Sequence, residues 1–572
     1  MNLINFHSND CKNCYKCLRH CNVKAIKILD DKAEIIEDKC IACGHCLVVC
    51  PQEARYIKSD MDIVKNLLNS KDKVVATIAP SFAGSFKMDN PYKFVTALKK
   101  LGFDAVEETA IGANLITKEY NKFIDENNLE NIITTCCPST NYLIEKYYPS
   151  LIKYMMPIVS PMVAHGKMIK KKYGEDVKVV FIGPCISKKY EAIDNSEAID
   201  AVLTFEEVNQ WFEHSEISIE DLEASNFDEQ SDGEGRSYPI VGSIISQLNI
   251  NEENSNYNFI KVDGLDKCRE LLKELDSGNL NNVCVEINAC VGGCIGGPGN
   301  PKNQEGLFVR KNKVKKYSSK DVKNIKTQTY EIEGFDLRKK FSSNEVAKPD
   351  FSYEQIRNVM SQMGKVEKTD ELNCGACGYD TCKEKATAVL AGMSEMTMCV
   401  PYMRSKAESM TNIIFEYTPN GIFLIDENLI IKEYNPTAAR MFMLKNNAFK
   451  EKNVLTLLND DYIMEAHDKK ETIFGKVVKY PQYGLTIREN IIYLEEEKLF
   501  MIIMNDISIE EKRKIQFGNM KEETMEAAQK VIEKQMRVAQ EIASLLGETT
   551  AETKVTLTKL KKLISEEDGD IK

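Results

Sequence analysis

Four cysteines in three short stretches have the number and type to hold one iron-sulfur cube. Cys137 follows Ile132-Ile133-Thr134-Thr135-Cys136, Cys185 follows Val179-Val180-Phe181-Ile182-Gly183-Pro184, and Cys290 and Cys294 follow Val283-Cys284-Val285-Glu286-Ile287-Asn288. Thiolate sulfur is what such clusters take, four to a cube. Each apolar run reads as a buried parallel strand, and in open α/β sheets ligands sit beyond the carboxyl ends of the strands. Three separate loops can therefore converge on one cluster. A fourth run, Val74 to Ala79, ends in Pro80-Ser81 and fits the same layout.

Two further sets of thiols stand apart from these. Residues 1–58 carry Cys11, Cys14, Cys17 and Cys21, then Cys40, Cys43, Cys46 and Cys50 followed by Pro51. This is the two-cluster spacing of bacterial ferredoxins, written twice. A tight loop caps three corners of a cube and the other run supplies the fourth, so Cys21 is expected on the second cluster and Cys50 on the first. The first run ends Cys21-Asn22, where ferredoxins usually place proline. Cys374, Cys377, Cys382 and Cys399, within residues 352–407, form a second pattern that resembles the small four-cysteine 4Fe-4S module of anaerobic electron-transfer proteins. Zinc would want a second close pair, whereas three near cysteines with a distant one beside Pro401 favour a cube. Of the 19 cysteines, Cys136, Cys268 and Cys284 are left over, so four cubes are expected.

The chain has 572 residues, a net charge of -12 and 28% charged residues. That describes a multidomain acidic protein without the basic patch that nucleic acid or an anionic membrane would want. The first residues have no basic, then apolar, signal pattern, and no apolar run is long enough to span a bilayer. Cysteine in CxxC-type runs is metal-ligand usage, so a reducing, oxygen-poor cytoplasm is expected.

The fold expected is multidomain α/β and α+β. Residues 59–345 read as an α/β domain, with helices near Asn90 to Leu101, Leu115 to Glu126 and Thr140 to Lys146. The stretch Glu213 to Glu234 has nine acidic residues and neither Lys nor Arg, and reads as a solvated insertion. The glycines around Cys294, from Gly292 to Gly299, let backbone pack against a cluster. Residues 408–510 hold no cysteine. There Gly421 to Ile425 and Leu429 to Ile431 flank the turn Asp426-Glu427-Asn428, Asn435-Pro436 starts a helix, and strands follow at Lys476 to Lys479, Gly484 to Tyr493 and Leu499 to Asp506. This order resembles a PAS domain. His467 reads as a surface residue rather than a haem ligand, and flavin-thiol photochemistry has no cysteine to use. Residues 511–572 read as a helical hairpin or coiled coil: Val531, Val538, Ile542 and Leu545 form one stripe, Gly547 stops the helix, and Thr549 with Glu552 caps a second carrying Leu557, Leu560 and Ile564.

The three strand-end motifs resemble the signature motifs of FeFe-hydrogenases, in order, over roughly residues 1–330. The resemblance implies that Cys137, Cys185, Cys290 and Cys294 hold a 4Fe-4S cube and that Cys294 also bridges to a two-iron subsite carrying CO, cyanide and an azadithiolate. It implies that Lys188 hydrogen-bonds one cyanide, that Ser81 meets the other, and that Cys136 is the first group of a proton relay. Further along the family's relay the match breaks: Tyr120 and Phe123 stand where glutamates are expected and Met156 where a serine is. Phe123 and Met156 cannot pass a proton. Gly183, Asn288 and Met162 also differ from the family's pocket residues.

A kept cluster, a broken relay and an appended PAS-like region resemble the sensory FeFe-hydrogenases, often called group C. The expected function is reversible hydrogen binding and splitting with slow turnover. Electrons would pass through the cubes and the signal through the PAS region and tail to a regulatory protein such as a phosphatase or kinase. Expected partners are H2 and protons, a ferredoxin or other redox partner, and the hydrogenase maturation proteins; a homodimer stays open. Two other readings stay open as well: a metabolic ferredoxin-linked FeFe-hydrogenase, and a hydrogenase-like iron-sulfur assembly protein.

Overall fold

The computed structural model describes residues 3–30, 32–231, 233–250, 255–302, 305–319, 336–347, 349–444, 449–458, 460–546 and 551–566. Residues 1–403 and 404–572 form two compact units. At the start of the first, β1 (Ile4–Phe6) pairs antiparallel with β4 (Arg55–Ile57), and β2 (Ile26–Leu29) with β3 (Lys32–Ile35). Between them each cysteine run opens into a single helical turn, Lys16–Arg19 and His45–Val48.

The runs Val74 to Ala79, Ile132 to Thr135, Val179 to Gly183 and Val283 to Asn288 are parallel strands as expected, but they belong to two sheets. One has the order β6-β5-β8-β9, with β5 (Val74–Ile78), β6 (Ala105–Glu108), β8 (Lys178–Gly183) and β9 (Ala201–Thr204). The other has the order β10-β11-β7, with β7 (Ile132–Ile133), β10 (Asn258–Asp263) and β11 (Val283–Asn288). Every pairing in both sheets is parallel. β5, β8 and β11 are buried along nearly their whole length, which is why they read as continuous apolar runs rather than alternating ones. In the first sheet the chain order reverses between β5 and β8, and such a switch point opens a crevice at the carboxyl ends of the strands.

The acidic stretch departs from its expectation. Its second half is packed rather than solvated: Phe227 is buried, Asp228 accepts the Val106 N-H at 2.8 Å and pairs with Lys99 at 3.0 Å, and Glu229 pairs with Lys172 at 2.7 Å. The physical reason is that β6 is a sheet edge whose backbone needs acceptors, and carboxylates supply them beside lysines that balance the charge.

The second unit is a five-stranded antiparallel sheet of order β13-β12-β16-β15-β14, with β12 (Gly421–Asp426), β13 (Ile431–Tyr434), β14 (Ile473–Tyr480), β15 (Leu485–Leu494) and β16 (Leu499–Asp506). Alternate residues of β12 are buried, and Ala438, Ile463 and Ala466 bring two helices onto that face. Asn435 caps the first helix by accepting the Ala438 N-H at 2.9 Å. Leu429 and Ile430 lie outside β13, because Leu429 closes the turn at φ 60° while Asp426 accepts the N-H groups of Asn428 and Ile430. Helices Ser508–Leu546 and Ala551–Glu566 follow. Val531, Val538 and Ile542 are exposed on the first of these. The caps read at Gly547 and Thr549 lie outside the described residues.

Candidate iron-sulfur centre

Strand ends set the four cysteines. Cys137 is the N-cap of helix Pro138–Tyr147, just beyond β7; Cys185 follows β8; Cys290 and Cys294 follow β11 through a single helical turn, Gly293–Gly296. Gly293 takes φ 69°, and a Cβ on it would stand 2.5 Å from the Pro239 carbonyl oxygen. Only glycine gives this loop both the backbone angle and the close approach. All four cysteines line one cavity of about 100 Å³, together with Ser81, Cys136, Met162, Lys188 and Asn288. The four cysteines, Ser81, Cys136 and Lys188 are therefore brought to one place.

The surroundings suit a buried iron-sulfur group. The Ser81 hydroxyl is fully buried, lines the cavity and has no hydrogen-bond partner among the described residues, so it is available to a polar group placed there. Burial pushes the Cys185 thiol up to about 11 and raises that of Cys290 as well. Such thiols stay protonated without a cation, whereas bound iron would hold them as thiolates. Lys188 donates to Glu191 at 2.6 Å, and Glu191 also accepts from the Ser160 hydroxyl at 2.8 Å. Burial pulls the Lys188 ammonium down, but the Glu191 carboxylate beside it outweighs this, and the net direction is upward. Lys188 is thus a charged donor locked at the cavity wall.

Cys136 is held differently. Burial pushes its thiol up to about 12, and the Tyr120 hydroxyl lies 3.6 Å from its sulfur. That hydroxyl also accepts the Thr135 N-H and contacts the Thr135 hydroxyl, each at 3.0 Å, and Thr135 in turn donates to the Met156 carbonyl. Beyond Tyr120 the expected relay positions carry no exchangeable proton. Met156 is buried, and the Phe123 ring lies under the Arg338 guanidinium, 4.6 Å away, which itself pairs with Glu119 at 2.9 Å.

Sequence reasoning missed two wall residues, Phe181 and Tyr238, and the partner of a third, Glu191. Phe181 folds its ring over Gly183, where a Cβ would be 2.6 Å from it. Tyr238 reaches the cavity from a loop and its hydroxyl bonds the Thr117 hydroxyl at 2.6 Å. Glu191 is the Lys188 partner; its place three residues after Lys188 in a helix was the available signal. Of the remaining thiols, Cys284 is buried in the core and Cys268 donates to the Asn288 carbonyl at 3.3 Å.

In the first 60 residues, backbone N-H groups point at the sulfurs: Asn13 N to Cys11, Ala25 N to Cys21 and Ala42 N to Cys40, at 3.3 to 3.4 Å. Such bonds stabilise the negative charge of a bound cluster. Cys374, Cys377, Cys382 and Cys399 likewise line a single small cavity. The Cys382 N-H is held by Asn373 at 2.7 Å, and Thr381 caps the helix that begins at Cys382.

Residues 72–298 match the family model "Iron only hydrogenase large subunit, C-terminal domain", residues 3–61 the 4Fe-4S dicluster domain, and residues 370–401 a family of Fe-S cluster modules. Iron hydrogenase 1 of Clostridium pasteurianum is 29% identical over 401 residues, 56% of this chain and 69% of that protein. The nuclear prelamin A recognition factor of Mus musculus is 22% identical over 48% of this chain and 75% of its own length. Among solved structures, FeFe-hydrogenase HydA1 from Chlamydomonas reinhardtii aligns with a TM-score of 0.40 at 18% identity, over 50% of this chain and all of that one. The chain carries an FeFe-hydrogenase-like domain beside 4Fe-4S domains. It is a hydrogenase-like iron-sulfur protein. No helix among the described residues is long and apolar enough to cross a membrane.

Proposed function

We propose that this protein is a cytoplasmic hydrogen-sensing FeFe-hydrogenase of the group C kind. Residues 1–58 would hold two cubes, 59–345 the catalytic centre, 352–407 a fourth cube, 408–510 a PAS domain and 511–572 the output segment. The observation that carries the reading is one cavity lined by Cys137, Cys185, Cys290 and Cys294 with Ser81, Cys136 and Lys188, next to relay positions Phe123 and Met156 that have no proton to pass. Cys137, Cys185, Cys290 and Cys294 would hold the cube, with Cys294 shared with the two-iron subsite. When bound, that subsite supplies the metal at which H2 is taken up and split. Lys188 and Ser81 would serve as hydrogen-bond donors to its cyanides, and Phe181, Met162 and Asn288 would shape the pocket and exclude water. Cys136 would be the first proton acceptor, and the Tyr120 hydroxyl beside its sulfur is able to exchange one. Phe123 and Met156 interrupt the path from there, so slow turnover follows.

A second reading, a hydrogenase-like assembly protein, is favoured by the likeness to the nuclear prelamin A recognition factor. Against it stand the unpartnered Ser81 hydroxyl and the locked Lys188 donor in the cavity, which a scaffold without cyanide has no use for. Infrared spectra of protein matured with the hydrogenase assembly factors decide between them. Sharp CO and cyanide bands that change under hydrogen are expected; their absence in iron-replete protein overturns the proposal.

A further inference from the structure

The four-cysteine module of residues 370–401 is docked onto the ferredoxin-like region. A Cβ on Gly378, which takes φ 94°, would stand 2.7 Å from the Leu18 side chain, so this junction closes only over glycine. Lys24 donates to the Gly378 carbonyl at 2.8 Å, Arg19 to the Ala376 carbonyl at 3.0 Å, and the Ile28 N-H to the Met393 carbonyl at 2.9 Å. Leu18, Ile28, Cys377 and Tyr379 share one apolar cluster, with Cys17 and Cys21 packed against it. On the opposite flank the second cysteine run meets the catalytic domain: Ser187 donates to the Ala42 carbonyl at 2.8 Å, Lys146 to the Cys40 carbonyl at 2.7 Å, and Cys43 lines the catalytic cavity.

We propose that Gly378, Tyr379 and Leu18 form an intramolecular redox junction that makes the module the outer port of a single electron path. The ferredoxin-like region lies between this port and the catalytic cavity. The inference rests on the hydrogenase reading for its direction: splitting one H2 yields two protons and two electrons, and two cubes each reduced by one electron balance the step. Lys385 adds to the port's character. Its buried side chain lines the module's cavity beside Cys377 and Cys399 and donates to the Glu395 carbonyl at 2.6 Å, and an N-H donor held at that wall favours the more negative, reduced cluster.

The test uses the full chain loaded with iron and sulfide only, without maturation factors, so that its outcome is independent of whether the two-iron subsite is ever made. In dithionite-reduced protein, the electron paramagnetic resonance signal of the module is expected to be broadened by spin coupling to the ferredoxin-like clusters. Gly378→Val should leave iron content unchanged and at least halve that broadening, while Gly392→Val, at a positive-φ glycine with open space around it, should leave the broadening as it is. If Gly378→Val loses iron, the double variant Arg19→Ala with Lys24→Ala reads the same junction without disturbing the glycine. Lys385→Met should make the module harder to reduce by tenfold or more in the one-electron equilibrium, about 59 mV. A wild-type spectrum that is the plain sum of uncoupled clusters, or full broadening in iron-replete junction variants, overturns the proposal.

Discussion

The two units bury polar groups for different ends. In residues 1–403, thiols line a cavity together with Lys188, which is held by Glu191. Residues 404–572 hold no cysteine, and the buried polar groups described there include Tyr480, Glu489 and Asp460. Tyr480 donates to Glu489 at 2.6 Å, and burial, followed by the Asp460 carboxyl, pushes Glu489 up to about 9. The first arrangement is a socket for a foreign group, the second a self-contained fold with a proton inside it.

The strongest way to break this comparison is to empty the socket. Cys185→Ser should bring hydrogen turnover to background and remove the infrared bands, with the second unit still folded by hydrogen exchange. Next comes the locked donor: Lys188→Ala leaves Glu191 buried without its cation and should cost about 3–5 kcal/mol in denaturant unfolding of the first unit. Lys188→Ala combined with Glu191→Gln should recover a large part of that loss.

The relay variants probe rate rather than stability. Tyr120→Glu, Phe123→Glu and Met156→Ser together should raise turnover, each tenfold gain corresponding to about 1.4 kcal/mol off the barrier. A native rate already equal to that of metabolic hydrogenases removes the argument for sensing. In the second unit, Glu489 has a folded pKa above its unfolded one, so the folded state binds the extra proton. Its stabilising effect is complete below about pH 4.5 and is lost as the pH rises toward about 9. The unfolding free energy of that unit should therefore fall by up to about 1.4 kcal/mol per pH unit within this window, and Glu489→Gln should flatten the slope. The smallest expected effect is on catalysis: a chain ending near residue 410 should keep its infrared bands and hydrogen response. In the full chain, hydrogen should change amide exchange in helix Ser508–Leu546.

The cysteine spacings, the apolar runs before them and the Asn435-Pro436 helix start were legible because each is local. A strand end, a tight loop or a capped helix is specified by neighbours in the chain. Lys188 and Ser81 were legible only through likeness to a family, since one lysine or serine carries no signal in its type. What the tertiary structure alone decided is long-range. Two sheets rather than one carry the motifs, Glu229 and Asp228 serve the edge of β6, Arg338 covers Phe123, and Gly378 lets the last cysteine module close onto Leu18. Each of these joins residues far apart in the chain, and the reason is general: periodicity and spacing report which face of an element is apolar, whereas the partner of that face is chosen by packing and by the need to satisfy every buried polar group.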